Sequence, residues 1–173
     1  MAYGRHRPSG AAKPTMKICV DGDSCPGVIK NILFRAAERT QVPLILVANR
    51  MLRVPPSPWI RAIQVPAGFD VADQRIADEA IAGDLIITSD IPLAAKVIAN
   101  GAHVIDFRGE LLDDNNIQER LTMRNFMDGL RSSGVDTGGP AALSAADSKA
   151  FASRLDGLLT KLRIHHREQT DDQ

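Results

Sequence analysis

The chain has 173 residues, which is enough for one domain with a buried core and short for two. Its 21 Lys and Arg residues balance 21 Asp and Glu residues, so the protein is not built to coat duplex nucleic acid or an anionic membrane through bulk charge. With 44% hydrophobic and 24% charged residues, the composition is that of a folded globular protein.

The cysteine count and the absence of long apolar runs indicate a cytoplasmic protein. Cys19 and Cys25 are too few for a disulfide framework or a zinc motif. No apolar run reaches the roughly 18 to 20 residues that span a bilayer, so we expect no membrane partner. Residues 1–15 contain Arg5, Arg7 and Lys13, no acid and little to bury, and are predicted to be a disordered basic extension.

From Met16 onward the pattern predicts strands that alternate with helices. The run ICV before Asp21 is typical of a strand buried on both faces of a parallel sheet. Pro26 is well placed as the first residue of a helix that runs to about Arg39, with Ser24 or Cys25 as its N-cap. The next predicted elements are strands at 42–48 and 62–66, a helix at 70–83, a strand at 84–88, a helix at 91–100 and a last short strand at 103–107.

Two further helices are predicted at 116–133 and 144–162, the second with Ser144 as a cap and Asp147 three residues on. The Gly- and Pro-rich segment between them is too short to separate domains. We therefore expect both helices to pack on the core or on a second subunit, which would make a homo-oligomer. The polar tail 163–173 is predicted to fray.

The predicted fold class is α/β, with a single domain over 16–162. Strands separated by helices of this length form right-handed βαβ units in an open, mostly parallel sheet with helices on both faces. The two C-terminal helices are an addition to that core.

Acidic residues are predicted to meet at one edge of this sheet. Ligands of open parallel sheets bind outside the carboxyl ends of the strands. Carboxylates that share a site repel one another unless a cation lies between them, and oxygen ligands suit Mg²⁺ or Mn²⁺. Such a site can activate water for attack at phosphorus. The residues concerned are Asp21, Asp23, Asp70, Asp73 and Asp90.

Several of the acids also have a structural explanation. Asp70 and Asp73 stand at a helix start, where capping and the helix dipole favour acids. Asp84 begins its strand, at the far end of the sheet, and Asp78 is expected to face solvent. Asp21 and Asp90 are harder to explain in this way, because an acid directly after a buried strand is costly unless it is used.

A basic loop follows the second predicted strand and is a candidate substrate contact. Asn49, Arg50 and Arg53 precede a Pro-rich segment with Trp59. The arginines could bind phosphate oxygens, and Trp59 could stack on a base. The alternative is an ordinary connection in which Trp59 packs on the core.

The motifs VDGDSCP, LVAN, RVP, AGFDVAD, GDLIITSDIPLA, ERLTMRNFMD and TGGP, in this order, resemble the YaiI/YqxD family of uncharacterised bacterial proteins. The resemblance covers about Met16 to Leu162. That family is assigned by similarity to the PIN-like superfamily. VDGDS is similar to the superfamily's strand-end Asp, DQRIADEA to its D-x-x-I-A-x-x-A helix, and IITSD to its T-x-D strand end. The two C-terminal helices are not a usual PIN element.

The resemblance implies a PIN-like fold and a metal-dependent nuclease or phosphodiesterase site. Asp21, Asp73 and Asp90 would be the Mg²⁺ or Mn²⁺ ligands, and Asp23 would complete the catalytic set. Ser89, with Thr88, would support the site from the turn beside Asp90. The implied substrate is RNA or a smaller phosphoester, cleaved by metal-activated water.

Other interpretations stay open at this stage. DGDS has the D-x-D-x-S form of a haloacid-dehalogenase-type phosphatase, in which Asp21 is the nucleophile, Asp23 the general acid and Lys96 a later motif. That alternative leaves Asp73 without a role, and the chain lacks the family's late pair of acids. A third alternative is a non-catalytic PIN-like protein that binds or assembles. Cys25 at a helix start is a reactive thiol or, more simply, a packed one.

Overall fold

The computed structural model describes residues 16–139 and 141–171, so the extension predicted at residues 1–15 lies outside the described residues. In chain order, the elements are β1 (Ile18–Asp21), α1 (Gly27–Thr40), β2 (Leu44–Ala48), β3 (Ile60–Gln64), α2 (Val71–Glu79), β4 (Leu85–Ile87), α3 (Ile91–Ala99), β5 (His103–Ile105), β6 (Leu111–Leu112), α4 (Ile117–Ser132) and α5 (Ala145–Asp171).

The strands form one sheet in the order β3-β2-β1-β4-β5-β6, which confirms the predicted open, mostly parallel α/β fold. The strands β1 to β5 are parallel, and only β6 runs antiparallel to its neighbour. The chain moves outward from β1 to β3 and then returns to place β4 on the other side of β1. The switch point of the sheet therefore lies between β1 and β4, where open α/β sheets bind their ligands.

Helices cover both faces of the sheet. On one face, Ile18 and Val20 pack with α1 and with the buried Phe151 and Leu155 of α5. On the other face, alternate strand residues pack against α2 and α3, and α4 lies against α3. Since α5 buries its apolar side against the sheet and α1 of its own chain, it is part of the core rather than an appendage.

The start of α1 differs from the prediction. Pro26 is the N-cap in extended conformation, and the helix begins one residue later, at Gly27. Ser24 does not cap the helix, because its hydroxyl donates instead to the Asp21 carboxylate. The Asp21 side chain is thus fixed by a neighbour that the sequence pattern had assigned to the helix.

The predicted last strand at 103–107 is not the last, because β6 follows it. Asp106 is buried, and its Oδ1 accepts from the backbone N–H groups of Arg108 and Glu110, both at 2.9 Å. This side chain holds the turn that brings β6 back beside β5. The sequence pattern missed β6 because two apolar residues carry no periodicity.

The strand β3 lies at Ile60–Gln64, two residues before the predicted 62–66. Two further differences are at helix ends. The helix α2 ends at Glu79, before the predicted end at Gly83, because Ala80 is extended. The helix α5 continues to Asp171, nine residues past the predicted end at 162. No proline or glycine interrupts that stretch, and its residues are compatible with helix. None of the described helices combines the length and apolar character that a bilayer span requires.

Candidate acidic site at the switch point

The switch point brings together three carboxyl groups, from Asp21, Asp73 and Asp90, here called the acidic cluster. Asp21 ends β1, Asp90 follows β4, and Asp73 stands in the first turn of α2. The charges of both Asp90 and Asp21 act on Asp73, and the Asp90 charge acts on Asp21. The structure thus brings together three of the four acids that sequence motifs indicated, and the fourth, Asp23, flanks them.

Asp73 is the most perturbed member of the cluster. Burial, then the charge of Asp90 and a hydrogen bond with its carboxyl group, and then the charges of Asp21 and Asp70 raise the pKa of Asp73 to about 7. Its usual value is 3.8. Near neutral pH, Asp73 therefore holds a proton for much of the time.

Asp21 is half-buried, and both its Ser24 hydrogen bond and the tight path of the chain at Gly22 hold it in place. Burial raises the pKa of Asp21, the Ser24 hydroxyl bond of 2.7 Å opposes this, and the charges of Asp23 and Asp90 add to it. Gly22 sets the path of the chain, since a Cβ atom there would lie 2.6 Å from Leu52 Cδ1 and 3.1 Å from the Val47 carbonyl oxygen. A glycine between the two acids therefore lets β1 end tightly against β2.

Asp90 combines a place in the cluster with a structural role. It is the N-cap of α3, and its Oδ1 accepts from the Leu93 N–H at 2.9 Å. The Asp90 N–H donates in turn to the hydroxyl of the buried Thr88 at 3.0 Å. The first bond orients the Asp90 carboxyl group, and the second holds the Asp90 backbone at the end of β4.

Asp23 ties the cluster to the basic loop after β2. Its Oδ2 accepts from the Asn49 N–H at 2.8 Å, and its Oδ1 lies 3.8 Å from Arg50 Nε. The Asp23 side chain is 27% exposed and that of Arg50 is 64% exposed. Asn49 and Arg50 therefore lie beside the acidic cluster, with the Arg50 guanidinium largely in solvent.

The remaining predicted substrate contacts lie at this edge but make no described contact with the cluster. Ser89 and Arg53 are exposed, the first in the turn before Asp90 and the second on the loop after β2. Trp59 is partly buried and packs on the core, which is the structural alternative that the sequence left open.

Sequence reasoning passed over Phe69, in the loop between β3 and α2, whose side chain is 95% exposed. The neighbouring Asp70 has a left-handed backbone, with φ 60°, and its side chain makes no capping hydrogen bond. The capping explanation for Asp70 is therefore wrong. An aromatic residue between Gly68 and an acid, in a short loop before a helix, is the sequence signal that could have indicated this feature.

The other acids and the thiols have structural surroundings. Asp84 is fully buried at the opposite edge of the sheet, where it pairs with the Lys17 ammonium and accepts from the Ile81 N–H at 3.0 Å. Asp78 is exposed and accepts from the Gln74 side chain at 2.7 Å. Burial raises the pKa of the Cys25 thiol to about 12, so Cys25 is a packed residue and not a nucleophile.

The donor chemistry of the acidic cluster fits a hard divalent cation. Within the described residues, no three His, Cys, Asp or Glu side chains already surround a common point as a finished metal site. The cluster does supply carboxylate oxygens from three separate elements, and burial and mutual repulsion both disfavour their charged forms. A cation among them would relieve that repulsion, whereas without one a proton on Asp73 does so.

Comparison with known proteins identifies the family to which this chain belongs. A family model described as the uncharacterised YaiI/YqxD family matches residues 19–161. The chain is 61% identical over 149 residues to the UPF0178 protein of Dechloromonas aromatica, which covers 86% of this chain and 99% of the relative.

Two further relatives are similar over the same extent. The UPF0178 protein of Bordetella avium is 64% identical over 146 residues, with 84% of this chain and 95% of the relative covered. That of Thioalkalivibrio sulfidiphilus is 62% identical over 146 residues, with 84% and 99% covered. No solved structure is significantly similar to the chain.

Proposed function

Since the chain belongs to the YaiI/YqxD family of uncharacterised proteins, we propose from its own geometry that it is a PIN-like, metal-dependent nuclease or phosphodiesterase. One observation carries the proposal. Asp21, Asp73 and Asp90 come from three elements to the switch point of a parallel sheet, where their charges are mutually destabilising. Among the described residues no basic side chain forms an ion pair with these three partly buried acids, so their shared charge is costly unless a cation compensates it in the working state.

Asp21, Asp73 and Asp90 would hold Mg²⁺ or Mn²⁺. When bound, such an ion polarises a phosphoryl oxygen and lowers the pKa of water at the site. The chain's own residues orient the ligands: the Ser24 hydroxyl fixes Asp21, and the Leu93 and Thr88 bonds fix Asp90. Asp73 holds a proton until a cation displaces it, which makes occupancy of the site pH-dependent.

The substrate side of the site is the basic loop after β2. Arg50 is within 4 Å of Asp23 yet 64% exposed, so its guanidinium can turn from that carboxylate to a phosphate oxygen. Asn49, Arg53 and Ser89 stand at the same edge and would contribute polar contacts. The substrate class is RNA or another phosphodiester.

The geometry does not favour the haloacid-dehalogenase-type alternative. In that mechanism a cation from a later motif must reach the nucleophile, here Asp21. Lys96 is exposed in the last turn of α3, about 9 Å along the helix from Asp90 at its start. It lies away from the switch point, and this alternative also leaves Asp73 unused.

A titration with Mn²⁺, followed by thermal unfolding, tests the proposal. Binding to the folded state alone adds RT ln(1 + [L]/Kd), about 2.7 kcal/mol at a hundredfold excess over Kd, or several degrees in Tm for a chain of this length. We expect this increase in the wild type and in Asp78→Asn, whose side chain is exposed on the same helix as Asp73. Asp21→Asn and Asp90→Asn should lose it, and with it the Mn²⁺-dependent hydrolysis of an activated phosphodiester.

Two results would contradict the proposal. One is no stabilisation of the wild type at millimolar Mn²⁺. The other is a vanadate- or fluoride-trapped adduct on the Asp21 carboxylate, which would support the phosphatase alternative instead.

A further inference from the structure

Two large apolar side chains are unusually exposed on loops at the carboxyl edge of the sheet. Phe69 is 95% exposed and Met51 is 82% exposed, the two highest values among the large apolar residues that the structure describes. Met51 lies on the loop after β2, and Phe69 lies on the loop from β3 to α2. Both loops leave the carboxyl edge of adjacent strands, because the Val65 N–H donates to the Ala48 carbonyl at 2.8 Å where β3 and β2 end.

The backbone holds Phe69 outward. Gly68 before it has φ 155°, and Asp70 after it has φ 60°, a conformation that residues other than glycine seldom adopt. The helix α2 begins directly after Asp70, so Phe69 stands four residues before Asp73. The phenyl ring is therefore displayed in solvent just before the helix turn that carries Asp73, at the cost of its own hydrophobic burial.

We propose that Phe69 is a stacking platform for a base of single-stranded nucleic acid whose phosphodiester lies at the acidic cluster. This inference rests on the proposed function for the position of the phosphodiester, and it narrows the substrate from any phosphodiester to a single-stranded polynucleotide. A solvent-exposed aromatic ring offers a face to any base, so such contacts add affinity with little sequence preference. Bases within a duplex are already stacked on one another and do not offer their faces to a side chain.

The surroundings of Phe69 favour a nucleic acid over a protein partner. The centre of a protein docking surface is depleted of charged residues. Here the exposed apolar residues alternate with charges along the chain: Asp70 follows Phe69 directly, and Arg50 and Arg53 flank Met51 on the adjoining loop. An exposed aromatic ring, exposed arginines and clustered carboxylates together match a base, a phosphate and a metal-bridged phosphodiester.

The charge at this edge adds a condition on binding. Asp21, Asp23, Asp73 and Asp90 would repel a phosphate backbone unless a divalent cation lies among them. We therefore expect single-stranded oligonucleotide to bind in Mn²⁺ and to bind weakly in a chelator.

Fluorescence anisotropy with a labelled, phosphorothioate-linked single strand in Mn²⁺ tests the platform. Phe69→Ala should weaken binding by about 5- to 100-fold, the usual range for loss of one aromatic stacking contact. Phe126→Ala is the matched control, since Phe126 is 61% exposed on α4 and far from this loop in sequence. This variant should bind the single strand as tightly as the wild type does. The wild type should prefer the single strand to the corresponding duplex.

A second measurement reports stacking directly. Trp59 is the only tryptophan of the chain, so Phe69→Trp in a Trp59→Phe background places one fluorophore at the platform. Its emission should be quenched when the oligonucleotide binds, and binding should be as tight as in the wild type.

The outcomes separate this inference from the proposed function. If Mn²⁺ stabilises Phe69→Ala as it does the wild type, and this variant also binds the oligonucleotide as tightly as the wild type, then Phe69 is not a stacking platform and the metal site stands. If Phe69→Ala leaves affinity unchanged and instead dissociates an oligomer, the ring is a protein contact and the inference is overturned. If binding depends on Phe69 while Mn²⁺ never stabilises the protein, the stacking role stands and the proposed catalysis fails.

Discussion

The carboxyl group of Asp73, in the first turn of α2, lies against that of Asp90, the N-cap of α3. Two acids in such contact cannot both ionise cheaply, and burial adds to the cost. A proton or a metal cation must therefore accompany them.

Replacing Asp73 by Asn should stabilise the metal-free protein at pH 8. The pKa of Asp73 is about 7 in the folded chain against 3.8 for an ordinary aspartate, so the folded state binds this proton more tightly. The free energy of unfolding that this proton contributes is therefore lost as the pH rises from about 4 to about 7, and it is absent at higher pH. Because the carboxyl group is partly solvated, screening leaves an expected gain of about 1–2 kcal/mol for the variant.

Urea unfolding in EDTA at several pH values measures this effect. The gain should shrink towards zero near pH 4, where Asp73 is protonated whether the chain is folded or not. Asp78→Asn is the control on the same helix and should change the free energy of unfolding little. A variant at Asp73 that is less stable than the wild type at pH 8 would show that the acid serves the fold.

Two substitutions at Asp90 separate its cap from its proposed role as a ligand. Asp90→Asn keeps an oxygen that can accept from the Leu93 N–H, whereas Asp90→Ala removes the cap and should cost about 1 kcal/mol more in stability. Both variants should lose the Mn²⁺-dependent increase in Tm. Retention of that increase in Asp90→Asn would remove Asp90 from the ligand set.

Asp84 should be essential to the fold and irrelevant to the acidic cluster. It is buried at the opposite edge of the sheet, and it accepts from the Lys17 backbone N–H at 3.2 Å as well as pairing with the Lys17 side chain. Asp84→Ala breaks this buried pair and should cost about 3 kcal/mol, measured by chemical denaturation. Below its Tm, the variant should still be stabilised by Mn²⁺. Loss of that response in folded protein would contradict the separation of the two edges.

The C-terminal helix should be required for stability. Phe151 of α5 is fully buried against the sheet, so Phe151→Ala should cost about 3–5 kcal/mol. Lys149→Ala, at an exposed position two residues earlier on α5, is the matched control and should cost less than about 0.5 kcal/mol. A Phe151→Ala variant as stable as the wild type would mean that α5 does not pack on this core in solution.

The sequence was sufficient to predict the sheet and the acids at its edge. Unbroken apolar runs can be buried only in strands covered on both faces, so the parallel sheet followed from ICV, LILVA and LII. The place of Asp21 and Asp90 followed from the rule that parallel strands end at one edge. Their proximity also required the strand order, since it is the return of the chain to β4 that puts the two ends side by side.

The remaining features depend on contacts that no local pattern encodes. Whether Trp59 or Phe69 is exposed is decided by the packing of distant segments and by the backbone on either side of Phe69. The larger ring, Trp59, is partly buried, and Phe69 is the exposed one. The role of Ser24 as a donor to Asp21, and the turn that Asp106 holds before β6, both arise from side chains that could equally have served elsewhere. The pKa of Asp73 likewise depends on a neighbour on another helix.

The most direct test of the metal-dependent site is a crystal of the wild-type protein soaked in Mn²⁺ and measured for anomalous scattering. We expect an anomalous peak bounded by the carboxylates of Asp21, Asp73 and Asp90. An Asp21→Asn crystal soaked in the same way should show no such peak. No peak from the wild type at millimolar Mn²⁺ above pH 7, or a peak that lies elsewhere on the molecule, would contradict the proposed metal site.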